Sequence, residues 1–290
     1  MHPAALHIAS PASRASRGFQ WRSLEFILGT LLTGVILALV LLSVLIFPDR
    51  GSAMDLAARL SPPFVQWSHP LGTDPIGRDV LARVLVGGRI SLMVGLLSVL
   101  GASVLGIAIG LVAGYYRGFW DMLLMRCVDV QLALPFILIA LTFISILGGG
   151  LQNIILFMII SQWVQYARLV RGMVLSVRER EFVQAARAFG VRDFSMMRHH
   201  ILPNVIGPVI ILMTLNVANN ILLESSLTFL GLGVDPLIPS WGGMLADGRT
   251  YMQTAWWVSV FPGVAIMLTV LGLNLLGDWL RDRIDPTAKL

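Results

Sequence analysis

One carboxylate, Glu224, and three amides, Asn216, Asn219 and Asn220, fall inside a single apolar run of the chain, 205–227. At helical spacing Asn216, Asn220 and Glu224 share one face in four-residue steps, with Asn219 beside them. A carboxylate costs roughly 2.5 kcal/mol or more in hydrocarbon, so this face must meet protein or water. Two readings fit: the wall of a polar pathway, or side chains bonded across helices. Glu224 lies about 28 Å along the run from its start, so on the first reading it sits near the far surface, where a gate would be. Nothing else in the chain offers a reaction. There is no G-x-x-x-x-G-K-[ST] loop to cradle phosphate. His-Glu-x-x-His, paired-cysteine and G-x-S-x-G motifs are also missing, and the one lysine, Lys289, lies outside the apolar runs. Cys127 is the only cysteine, which excludes an intrachain disulfide. His69 has no partner at ligand spacing, so no metal site is expected and the chain by itself is not expected to be an enzyme.

The elements that must position these groups are membrane helices. Of 290 residues, 56% are hydrophobic and 13% charged, half the charge of an average soluble domain at about 25%. Mean hydropathy is +0.80. Six apolar runs, 26–47, 90–113, 132–147, 154–169, 205–227 and 256–276, are read as spans. The backbone must satisfy its own hydrogen bonds in lipid, so an all-α membrane protein follows. Six spans put both termini on one side. Fifteen of the 21 basic residues fall on the terminal side, which makes it cytoplasmic. The net charge of +5 is therefore read as membrane topology and not as a nucleic-acid footprint. Residues 1–22 read as a disordered tail, and 23–89 as the first, uncleaved span plus an outer interfacial segment. A core of five helices follows over 90–285, with a cytoplasmic loop over 171–204, and 286–290 form a second tail.

That loop carries its own pattern. Phe182, Ala185, Ala186 and Phe189 fall at i, i+3, i+4 and i+7, an apolar stripe, with Arg178, Arg180 and Arg187 off it. Gly190 ends this helix, and Val191, Phe194 and Met197 begin a second short apolar spacing. The result is a bent, protruding element suited to being gripped by another protein. In the second span Ser98, Ala102, Gly106, Gly110 and Gly114 form a four-residue ladder of small side chains, which admits another helix closely. It suits either this chain's own bundle or a subunit interface. Outside, Gly72-Thr-Asp-Pro reads as a turn in which Thr73 or Asp74 caps a helix starting near Pro75, lying along the interface or packed on the bundle.

Ala185-Ala186, then Gly190, then Leu202-Pro203 resemble the EAA loop of bacterial ABC importer permeases, with Gln184 in place of its glutamate and His200 in place of its isoleucine. The outer string Gly72, Thr73, Asp74, Gly77, Arg78, Asp79, Arg83, Arg89, Ser91 and Leu92 resembles the C-type permeases of dipeptide and oligopeptide importers, a family that also holds nickel and glutathione permeases. So do 224–242 and 277–286, which extends the resemblance from about residue 68 onward. It implies a type I permease bundle in the bacterial inner membrane and a second, homologous permease. It also implies two cytoplasmic ATPases that bind ATP and Mg, and an extracytoplasmic peptide-binding protein. ATP-driven motion would enter through Phe182, Gln184, Ala185, Ala186, Phe189, Gly190, His200, Leu202 and Pro203. A secondary transporter is the alternative class. It would call for inverted repeats or ionisable groups at the bilayer midplane, neither of which is evident.

Overall fold

The computed structural model describes residues 15–47 and 51–284. Among them no strand occurs, only one antiparallel bridge between Thr73 and Asp79. The helices are α1 (Ala15–Ile46), α2 (Val80–Tyr116), α3 (Gly118–Ala133), α4 (Phe136–Leu147), α5 (Leu151–Val177), α6 (Glu181–Ala188) and α7 (Asp193–Ser195). A π turn, Met196–Ile201, joins α7 to α8 (Leu202–Phe229), and α9 (Trp241–Gly248) and α10 (Trp257–Ile284) complete the bundle. Of these, α1, α2, α5, the continuous α7–α8 and α10 are long and apolar enough to cross a membrane, and the bent pair α3 and α4 makes a sixth if the two count as one span.

The break has a local cause. α3 and α4 meet at 95°, where Pro135 lacks an N–H and forces Leu134 into an extended conformation, φ −91° and ψ 133°. The sequence reading of a plain span over 132–147 is corrected to this bent pair.

Three further expectations change. The helix placed near Pro75 does not lie along the interface. It starts at Val80 and is the first part of α2, a single helix of 37 residues, about 55 Å long. Its cap is Asp79, whose carboxylate accepts from Leu81 N at 2.8 Å, because Asp74 is engaged elsewhere. α1 begins inside the predicted tail, at Ala15, with no proline after Pro11 to stop the span's helix propagating backwards. The rest of that tail, and 286–290, lie outside the described residues. Finally, α5 runs on to Val177, so the predicted loop over 171–204 begins as helix.

The small-residue ladder lies against α5 of the same chain. A Cβ on Gly106 would come within 2.5 Å of Trp163 O and Tyr166 Cβ, and one on Gly110 within 2.7 Å of Ala167 O. Gly114 faces Val174 at 2.7 Å by the same construction. Ala102 is fully buried among Val99, Tyr166 and Val170. Backbones this close gain dispersion contacts along their full length, the driving force left to helices once lipid is as apolar as leucine. α8 packs on both α2 and α10, and α1 closes the other side against α10.

Candidate functional site: a protruding elbow and a buried polar face

The element 178–203 hangs from the ends of α5 and α2. α6 carries Glu181 in its first turn and Arg187 in its last, both favourable to the helix dipole. Its stop is a Schellman motif: Gly190 N–H bonds Arg187 O at 3.0 Å and Val191 N–H bonds Ala186 O at 3.2 Å. Gly190 sits at φ +78°, which a side chain at that position would strain. Space around it is open, so the demand is conformational and not steric. Beyond it, Pro203 has no N–H to give His199, and the chain answers with the π turn that leads into α8. Asn204 Nδ2 donates to His200 O at 2.7 Å across the same turn.

The predicted apolar stripe divides in two. Phe182 and Phe189 point outward, 42% and 87% exposed, as does Phe194 at 70%. Ala185 and Gln184 are exposed with them, and Gln184 Nε2 donates to Glu179 O. Ala186 and Leu202 instead touch the interior. The anchor is Val183, fully buried with Met196 and Ile201 among Tyr115, Val170 and Val174. Sequence reasoning missed Val183 because it lies beside the stripe that the two phenylalanines define. What remains outside is a low apolar ridge with Arg180, Arg187, Arg192 and Arg198 exposed around it. Such a surface offers no catalysis and suits a protein groove.

Asn216, Asn220 and Glu224 are bonded inside the chain, though Asn220 Oδ1 is buried without a partner. Asn216 Nδ2 donates to Tyr166 OH at 2.9 Å and to Gln165 Oε1 at 3.3 Å. Asn220 Nδ2 donates to Ser98 Oγ at 2.7 Å. Glu224 accepts from Thr228 Oγ1 at 2.9 Å and Ser225 Oγ at 3.4 Å, and is also hydrogen-bonded by Ser91. Ser91 Oγ in turn accepts from Trp241 N at 3.3 Å. Asn216 is 6% exposed, and Asn220 and Glu224 not at all. The face read as a pathway wall is thus turned into the bundle, where it ties α8 to α5, α2 and α9. Asn219 alone of the four projects outward.

At the opposite end the outer string forms a knot. Asp74, wholly buried, accepts from Arg83 Nη1 and Arg78 Nε at 2.6 Å each and from Arg78 N at 2.9 Å. Arg83 Nη2 reaches Asp247 at 3.3 Å, and Trp257 Nε1 donates to Thr73 O at 3.0 Å. The knot therefore fastens the start of α2 to α9 and α10. His69 lies 3.7 Å from Asp79, whose carboxyl is pushed above the usual range by burial. Among the described residues no three His, Cys, Asp or Glu side chains are placed to hold a metal ion.

Residues 106–290 match the family model described as "Binding-protein-dependent transport system inner membrane component". The chain is 46% identical over 221 residues to the dipeptide transport system permease protein DppC of Alkalihalophilus pseudofirmus, covering 76% of this chain and 73% of that one. It is 42% identical over 222 residues to the glutathione transport system permease protein GsiD of Pectobacterium atrosepticum, covering 77% and 74%. Its fold is similar to a chain in inward-facing structures of the MetNI methionine ABC transporter, with a TM-score of 0.58, 18% identity, and coverage of 70% of this chain and 96% of that one. The match over 106–290 and identities of 42–46% over three quarters of the chain place it in the family of inner-membrane components of binding-protein-dependent transport systems, as a permease subunit.

Proposed function

We propose that this permease carries short peptides inward across the bacterial inner membrane, paired with a second, homologous permease. Two cytoplasmic ATPases, which hold the ATP and Mg, grip the 178–203 elbow, and an extracytoplasmic binding protein delivers the peptide. The observation that carries this reading is the elbow itself: Phe182, Phe189 and Phe194 stand in solvent on an element pinned by buried Val183. Exposed aromatics on a rigid mount are what a protein partner needs. Ala185 keeps the ridge low enough to enter a groove, and Ala186 seats α6 on the interior beneath it. ATP binding would close the ATPase pair and shift the elbow, and packed helices would answer by switching between discrete arrangements.

The pathway wall is assigned to polar side chains that the bundle leaves outside. Asn219 on α8 and Gln165 on α5 are exposed. Ser226 and Asn274 line an open groove of about 770 Å³ between α8 and α10. Polar groups in a spanning helix belong against water or a partner subunit, and the second permease would complete that lumen.

Dipeptide as cargo is supported by the 46% identical relative, and glutathione, itself a short peptide, by the 42% identical one. The test is uptake by the assembled complex in liposomes, with labelled dipeptide and labelled glutathione supplied through the binding protein. Ala185→Trp, which raises the ridge, and Gly190→Val, which strains a positive φ, are expected to abolish uptake while the chain still inserts. Normal uptake by both variants would remove the elbow from the mechanism.

A further inference from the structure

The elbow is fastened to one helix end in a way that its docking role does not require. Tyr115, the penultimate residue of α2, is 5% exposed, and its hydroxyl donates to Asp193 Oδ1 at 2.7 Å. Asp193 opens α7, on the far side of the Gly190 bend from α6. From α6 itself, the Arg187 guanidinium lies over the Tyr115 ring, 5.5 Å from its centroid. From the end of α5, Arg178 Nη1 donates to Tyr115 O at 2.6 Å and Gly114 O at 3.3 Å. Three parts of the elbow thus converge on one residue of α2. The apolar contact beneath them is continuous, since Val183 and Met196 pack in the same cluster as Tyr115.

We infer that Tyr115 and Asp193 form a latch that passes elbow motion into α2, with Tyr115 a positioning residue for transport. The inference rests on the elbow being the ATPase contact. The elbow has a covalent route into α8, through the π turn, and another into α5. α2 is reached only across space, 78 residues from Asp193 in sequence. Once engaged, α2 carries α5 with it, because the Gly106–Gly110–Gly114 ladder leaves no slack between the two backbones. At the far end α2 bears the Asp74–Arg83–Asp247 knot. A push at Tyr115 therefore reaches the outer mouth along a single helix of 37 residues. Interfaces of this kind have discrete settings, and a loosened latch would let the elbow move without them.

The experiment measures labelled peptide taken up per ATP hydrolysed by the full complex in liposomes. Tyr115→Phe, buried beneath the elbow, is expected to keep bound ATPases and basal hydrolysis while lowering uptake per ATP about tenfold, the scale of one hydrogen bond to a charged group. Asp193→Ala is expected to lower uptake per ATP by the same factor in the complexes that retain their ATPases. Asp193→Asn keeps an acceptor oxygen and should restore most of the ratio. Tyr115→Phe combined with Asp193→Ala should be no worse than either alone, since both remove the same bond. Unchanged uptake per ATP in Tyr115→Phe would overturn the latch, as would a fall explained wholly by lost ATPases. Ala185→Trp run in parallel separates the two ideas: if it too transports normally, the docking reading fails, whereas its failure beside a normal Tyr115→Phe sinks the latch alone.

Discussion

Single side chains in this permease do their work through pairing inside the bundle. Asn220 bonds Ser98 across α8 and α2 with both groups buried. Asn220→Leu is expected to destabilise the detergent-solubilised protein by about 1–2 kcal/mol, within the range for hydrogen bonds between membrane helices, seen as a lower unfolding midpoint with ATPase binding intact. Asn219→Leu, on the exposed side of the same helix, should leave that midpoint unchanged and reduce uptake, because it would alter a lumen surface and not a packed one. If Asn219→Leu transports normally while Asn220→Leu is as stable as the parent, the division of this helix into structural and pathway faces is wrong. The sequence placed Asn216, Asn220 and Glu224 on one helix face correctly. It left open which way the face turned, since that depends on Tyr166 and Ser98, partners 50 and 122 residues away.

Among the elements, the elbow and the α2–α5 pair carry the argument. Val183→Asp would put a charge in a fully buried site beside Met196 and Ile201, so α6 should detach and the ATPases be lost on purification. Phe189→Ala, at a residue already 87% exposed, should leave the elbow folded and weaken only the partner's grip. Gly110→Leu forces a side chain onto Ala167 O and Val170, and is expected to prevent a stable bundle, measured as loss of monodisperse protein. These elements were legible in different degrees. The glycine ladder and the Gly190 stop were plain from spacing, because small residues and a positive φ leave compositional marks. The broken α3–α4 crossing was not, although Pro135 marked the spot. A window of apolar residues reports burial in lipid and passes over a single proline, while the 95° turn is made at Pro135 and the extended Leu134 before it. The helix expected near Pro75, on the interface or packed on the bundle, starts instead at Val80 as part of α2: Asp74 Oδ1 accepts from Ile76 N and Arg78 N within the turn, and Asp79 caps the helix.

For the whole molecule, the proposed function makes the fold a passive transmission. It has an elbow for a partner at one end, a charged knot at the other, and between them helices packed too closely to slide freely. Membership of the binding-protein-dependent transport family fits a chain that holds no phosphate-cradling loop, and on the proposed function Phe189 and Phe194, 87% and 70% exposed, lie where an ATPase would sit. The most direct measurement is thiol labelling of Phe189→Cys in a Cys127→Ser background, using a membrane-impermeant maleimide on oriented vesicles. The account predicts strong labelling in inside-out vesicles stripped of ATPases, protection when the ATPases are restored, and none in right-side-out vesicles. Labelling from the outside, or labelling from the inside that the ATPases do nothing to block, would contradict it.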